Sequence, residues 1–209
     1  MATPDDLRHA HCEYEKQYFD KHCDFFRQPI AAEIEVRTRQ IVRQAKLNSG
    51  SRVLDVGTGM GVLIKHFIEF GVKPENVVGC DLSHNMLAEA KTRFPKATFW
   101  QGDIADFPTD EYRHYFDAVF FNACFGNIFD RAGAITVASH DLRSGGAIII
   151  SHPLGNSFVD QLRSYDRNLV LTIMPNRDRL QNFCNDNDLT IAELRDEPDF
   201  YLAKLVSAG

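Results

Sequence analysis

The residues best suited to chemistry form one string, Val53-Leu54-Asp55-Val56-Gly57-Thr58-Gly59-Met60-Gly61. An apolar run that ends in glycines at alternate positions and leads into a helical pattern describes a strand, a tight turn and a helix start. Glycine lets the main chain turn sharply and lets a ligand lie against the backbone with no Cβ between them. A plain βα turn would carry the same glycines, so the string gains meaning from Asp81, which ends the next apolar run twenty residues after Gly61. That spacing suits a carboxylate gripping ribose hydroxyls at a strand tip. Ser83 is available to cap the helix that follows, which leaves Asp81 for a ligand. The dinucleotide fingerprint wants Gly or Ala one place beyond Gly61, where this chain has Val62, so a nicotinamide cofactor fits less well.

Such a turn works only when a parallel sheet presents it. Residues 52–56, 76–81, 97–101, 117–122 and 146–151 are short, mostly apolar runs, the pattern of strands covered by helices on both faces. Between them, residues 62–70 place Leu63, Phe67 and Phe70 on one helical face before Gly71, and Met86, Leu87 and Ala90 share a face behind Ser83. Residues 176–187 read as a helix, and 189–194 and 200–206 as two strands joined through Glu197-Pro198, an antiparallel hairpin. Upstream, residues 12–27 are rich in aromatics and acids, and 31–46 read as an amphipathic helix. The expected organisation is a helical cover over residues 1–50 and a catalytic-size α/β unit over 51–209, one structural domain in all.

Composition narrows the function. Lys and Arg total 23 against 29 Asp and Glu, a net charge of −6, which disfavours a phosphate-tracking surface and therefore nucleic acid partners. Residues 1–11 lack an apolar signal core, and no later run is long enough to cross a bilayer, so no membrane role is expected. Five cysteines, Cys12, Cys23, Cys80, Cys124 and Cys184, form no CxxC pair and read as free thiols of a reducing, cytoplasmic setting; no metal site is expected. Oligomeric state is not legible.

The string 53–61, then Gly79-Cys80-Asp81-Leu82-Ser83 with Met86-Leu87, Gly102-Asp103-Ile104, Phe116-Asp117-Ala118-Val119 running to Asn122, and Leu142-Arg143-Ser144-Gly145-Gly146 together resemble the class I S-adenosylmethionine-dependent methyltransferases. Five matches in order are far more specific than any one. The resemblance implies a Rossmann-like three-layer α/β sandwich with a mostly parallel seven-stranded sheet, closed by the C-terminal antiparallel hairpin. It implies S-adenosyl-L-methionine as cofactor, S-adenosyl-L-homocysteine as product and a small-molecule acceptor. Asp55 and the turn Gly57, Thr58, Gly59 and Gly61 would hold the methionine part. Asp81 would hold the ribose, Asp103 with the Ile104 amide the adenine, Leu82 and Met86 the adenine walls, and the Asn122 backbone would border the sulfonium. Tyr18-Phe19-Asp20 followed by Phe25-Phe26 is similar to the opening of small-molecule methyltransferases of this class.

Methyl transfer needs alignment and exclusion of water, and a base only when the acceptor must lose a proton. His152, just after the fifth strand, has the side-chain pKa for that work; Asn127, Tyr14 and Tyr18 are candidates to meet the acceptor. Tyr14 and Tyr18, four apart, share a helical face and suit a lid, although packing explains such pairs as well. Two rival readings stand. Cys124 beside Asn122 suggests methylation of a thiol or metalloid, yet Asn122-Ala123-Cys124 departs from the Asn-Cys pair of arsenite methyltransferases. The fold also allows a cofactor-binding protein that transfers nothing.

Overall fold

The computed structural model describes residues 2–207. Seven strands, β1 Val53–Val56, β2 Val77–Asp81, β3 Thr98–Gln101, β4 Phe116–Asn122, β5 Leu142–His152, β6 Leu189–Glu197 and β7 Phe200–Ser207, form one sheet in the order β3-β2-β1-β4-β5-β7-β6. The first five run parallel, and β7 lies antiparallel between β5 and β6. The expected three-layer architecture and closing hairpin are therefore present.

Strand periodicity explains why both faces are covered. Leu54, Val119, Phe121, Ile148 and Ile150 point to one core, and Val53, Ala118, Phe120, Ala147 and Ile149 to the other. Alternate side chains of a strand face opposite ways, so apolar residues at every position require helices on both sides. α3 (Ala32–Arg43) and α4 (Ile64–Glu69) supply Ile41, Val42, Ile64 and Phe67 to one layer. α7 (Arg131–Asp141) and α9 (Arg177–Asp186) supply Ala134, Ile135, Ala138 and Leu180 to the other.

Helix starts follow local chemistry. α1 (Pro4–Lys21) opens with a capping box between Thr3 and Asp6 and with proline in its first turn. Ser83 caps α5 (His84–Arg93) by accepting from the Met86 amide at 3.1 Å, and Asn176 caps α9 by accepting from the Arg179 amide at 3.0 Å. Short α2 (Cys23–Phe26) follows α1 after a break at His22, α6 (Thr109–Tyr112) precedes β4, and α8 (Gly155–Tyr165) follows β5. The sequence reading singled out none of α6, α7 and α8.

The chain leaves β1 toward β2 and β3, and returns to lay β4 on the opposite side of β1. Loops after β1 and β4 therefore diverge, and the crevice between the carboxyl ends of these strands is the switch point where open α/β sheets bind ligands.

Candidate functional site

A cavity of about 540 Å³ opens at that switch point. Its floor is made by strand tips. Asp55, near the end of β1, is buried and accepts the Thr58 hydroxyl at 2.7 Å. Gly57 and Gly59 hold φ of +65° and +52°, in the left-handed region that favours glycine. A Cβ on Gly57 would stand 2.7 Å from the Cys124 Cβ, so position 57 has no room for a side chain. Gly61 does not line the cavity; its missing Cβ leaves room for the Phe94 ring, which would stand 2.7 Å away.

Asp81 closes β2 and accepts two amides, Gly59 at 2.8 Å and Ser83 at 2.9 Å. One carboxylate thus ties the glycine turn to the tip of the next strand. Asp103 accepts the Ala105 amide at 3.1 Å, and its other oxygen takes Arg8 at 3.1 Å and the Cys12 thiol at 3.4 Å. Leu82, Met86, Ile104 and Asn122 complete this side. The Asn122 side-chain oxygen accepts the Ser151 hydroxyl at 3.0 Å, and Ala123 behind it turns with φ +57°.

Electrostatics here follow from burial. Removal from water pushes Asp55 up to about 7 and Asp81 up to about 6, the Thr58 hydroxyl and the loop amides pulling the other way. Glu15 of α1, also on the cavity wall, is pushed up to about 8 by burial and then by Asp81. No lysine or arginine lines the cavity among the described residues. Three desolvated acids with no lysine or arginine beside them in the cavity wall form a site that a positively charged ligand would stabilise.

The second wall comes from the N-terminal helices. His11, Glu15 and Phe19, at spacings of four on α1, face inward. His11 Nε2–H donates to the Asn127 carbonyl at 2.6 Å, and Asn127 Nδ2 donates to Glu15 at 3.3 Å. Phe25, Phe26, Ile30 and Ile34 add apolar lining, as do Ile128, Phe129 and Phe158.

The cavity therefore gathers Asp55, Gly57, Thr58, Gly59, Asp81, Leu82, Met86, Asp103, Ile104, Asn122 and Asn127 from the sequence-based set. It does not gather Tyr14, Tyr18 or His152. Tyr14 is exposed and donates to Asp166 at 2.8 Å, and Tyr18 packs against Phe19 and His22. His152, expected as the base, is buried behind the wall, where Nδ1 accepts the Leu154 amide at 3.2 Å. Burial drives it down to about 4, so near neutrality it is uncharged. Cys124 lines the cavity, but its thiol donates to the Val56 carbonyl at 3.2 Å, and burial holds it far above the usual thiol range. Reasoning from sequence missed His11 and Glu15; the signal was their spacing of four on a helix whose neighbouring stripe, Tyr14 and Tyr18, drew the attention.

A Rossmann-like sheet with an acid-floored cavity at its switch point, with no lysine or arginine in its wall among the described residues, defines a class of protein that binds a positively charged ligand across the strand tips. The methyltransferase domain family matches residues 47–197, and the chain belongs to that family, the class I S-adenosylmethionine-dependent methyltransferases. It is 34% identical over 104 residues to a demethylmenaquinone methyltransferase of Chlamydia caviae, a match spanning 49% of this chain and 44% of that one. It is 29% identical over 109 residues to the dTDP-3-amino-3,4,6-trideoxy-alpha-D-glucopyranose N,N-dimethyltransferase of Streptomyces venezuelae, spanning 51% and 44%. The matches thus span less than half the length of these relatives. Among solved structures, the magnesium protoporphyrin IX methyltransferase of Synechocystis, with bound S-adenosylhomocysteine, superposes with a TM-score of 0.67 at 18% identity, covering 95% of this chain and 100% of that one.

Proposed function

We propose that the protein transfers the methyl group of S-adenosyl-L-methionine to a small-molecule acceptor held in the same cavity. The carrying observation is the convergence of Asp55, Asp81 and Asp103 on a switch-point cavity with no lysine or arginine in its wall among the described residues. A cofactor with an ammonium, a sulfonium and no phosphate suits that donor set. When bound, it supplies a methyl carbon activated by positively charged sulfur.

The chain's residues then divide the work. Asp55 takes the ammonium, the amides of the Gly57–Gly59 turn the carboxylate, Asp81 the ribose hydroxyls, and Asp103 with the Ile104 amide the adenine, between Leu82 and Met86. Asn122 borders the reacting end and Asn127 the acceptor. Gly61 acts indirectly, by letting Phe94 support the turn. His152 acts as a positioning residue: its ring fixes the Leu154 amide, and with it the stretch of wall at Pro153 and Leu154.

The relatives named for a quinone and an amino sugar support a small-molecule acceptor. The acidic balance argues against nucleic acid, no described helix is long and apolar enough to cross a membrane, and all five cysteines are free, which together support a cytoplasmic setting. The thiol or metalloid reading loses ground because Cys124 is protonated and engaged, and no group of metal-binding side chains occurs among the described residues. Calorimetry with S-adenosylmethionine and S-adenosylhomocysteine tests the cofactor, and methyl-labelled cofactor offered a metabolite extract tests transfer. Absence of binding removes the reading; binding with no labelled product leaves a cofactor-binding protein.

A further inference from the structure

Two features of the cavity beyond the cofactor carboxylates bear on what else it takes. The first is the missing counter-charge. With no lysine or arginine in the wall among the described residues, His11 is its one side chain able to become positive, and His11 is already committed to the Asn127 carbonyl. An acceptor bearing a carboxylate or phosphate would shed water without meeting a lysine or arginine, while the acids of the wall repel it.

The second feature is Glu15. Its side chain is 13% exposed and lines the cavity. It takes one N–H, from Asn127, and stands 3.6 Å from His11 Nε2, whose proton points at a carbonyl. A carboxylate has room for about four such bonds, so most of its capacity is unused. Asp55 and Asp81 differ, being tied to their own glycine turn. Much of the rest of the cavity lining is apolar, including Phe25, Phe26, Ile30 and Ile34 from the N-terminal segment and Ile128 and Phe129 from the loop after β4. Phe25 and Phe129 line the cavity yet remain 72% and 37% exposed, so apolar area is left there for a ligand to cover.

Resting on the cofactor reading of the same cavity, we propose that the methyl acceptor is an amine on an apolar body, with Glu15 as the counter-group of its ammonium. The body lodges between the Phe25–Ile34 side and Ile128–Phe129. An ammonium must give up one proton before its lone pair is free, and Glu15 takes it, the carboxylate becoming a neutral carboxyl as the ammonium becomes a neutral amine. Burial has already raised Glu15 to about 8, which brings the two groups toward a match.

The test uses the whole chain loaded with S-adenosylhomocysteine, which permits no turnover, and three probes on one phenylethyl body: phenethylamine, phenethyl alcohol and hydrocinnamate. By calorimetry at neutral pH the amine binds about tenfold tighter than hydrocinnamate or better, with the alcohol between them. Glu15→Gln removes the amine's advantage over the alcohol, and Glu15→Asp, which keeps the charge, retains part of it. Hydrocinnamate binding as tightly as the amine, an unaltered ranking in Glu15→Gln, or no amine binding to the loaded protein overturns the proposal. Should Glu15→Gln fail to melt cooperatively, the wild-type ranking decides. Failure of S-adenosylhomocysteine itself to bind strikes the cofactor reading instead, so the two failures are told apart.

Discussion

The cavity's floor and its helical wall are built on different principles. On the floor, Asp55 and Asp81 are held by a hydroxyl and amides only a few residues away in sequence or on the adjacent strand, and the glycine turn is dictated by backbone sterics. On the wall, His11 and Glu15 reach Asn127 across more than one hundred residues, and α1 is fastened at its edges by Arg8 to Asp103 and Asp106 and by Asp20 to Ser83 and Asn85. A floor fixed by backbone suits a ligand shared by a whole family. A wall of side chains on a helix suits a ligand that differs from member to member, because changing it leaves the sheet intact.

The contrast breaks first at Gly57. Gly57→Ala adds a Cβ 2.7 Å from the Cys124 Cβ at a φ that L residues avoid, so strain and overpacking combine. We expect a loss of about 2–4 kcal/mol of stability by urea titration, with cofactor binding abolished. A normal midpoint with normal affinity would mean that the turn is not the rigid element described. Next comes Asp81→Ala, expected to weaken cofactor binding by about 1–3 kcal/mol in calorimetry, the loss for charged hydrogen bonds. Unchanged affinity removes the ribose assignment.

The acids give a pH signature. Asp81 and Asp55, raised to about 6 and about 7, keep protons in the folded, ligand-free protein that they would lose in the unfolded chain. Their contribution to stability is therefore full below the ordinary carboxylate range and is lost as pH rises through these values. A cation prefers the ionised form, so cofactor affinity runs the other way, rising by roughly fiftyfold between about pH 5 and about pH 7 as Asp55 ionises. Proton release on binding, read by calorimetry in buffers of different ionisation heat, checks the sign. Glu15, Asp103 and His11 share the cavity, so Asp55→Asn should flatten the curve and Glu15→Gln should flatten it less. Affinity that falls with pH contradicts the account.

Legibility follows the same divide. Strands β1, β2, β4 and β5 were readable because a sheet covered on both faces leaves continuous apolar runs, and the floor residues because glycines and strand-end acids sit at fixed spacings. α7 was not singled out, because its buried face is built of Ala134, Ile135 and Ala138, small residues with weak contrast. β5 begins at Leu142 rather than at Gly146 because the register shifts between Phe116 and Ala118, a bulge that no local pattern announces. His152 has the right side chain at the right strand end, yet its burial by tertiary packing, with a local bond from the Leu154 amide, keeps it out of the cavity.

The smallest expected effect is the sharpest on the wall. Successive residues of an α-helix are turned by about 100°, so the stripe of Tyr14 and Tyr18 adjoins that of His11, Glu15 and Phe19 without sharing its outlook. The structure turns the second stripe inward and leaves Tyr14 at the surface on Asp166. Tyr14→Phe deletes one exposed hydrogen bond and should leave turnover and cofactor affinity unchanged, while Phe19→Ala should raise the acceptor KM several-fold. A large loss in Tyr14→Phe, with none in Phe19→Ala, would mean that α1 rotates by about one residue when the acceptor binds. The wall would then be a moving lid rather than a fixed surface, and Glu15 would have to be placed again.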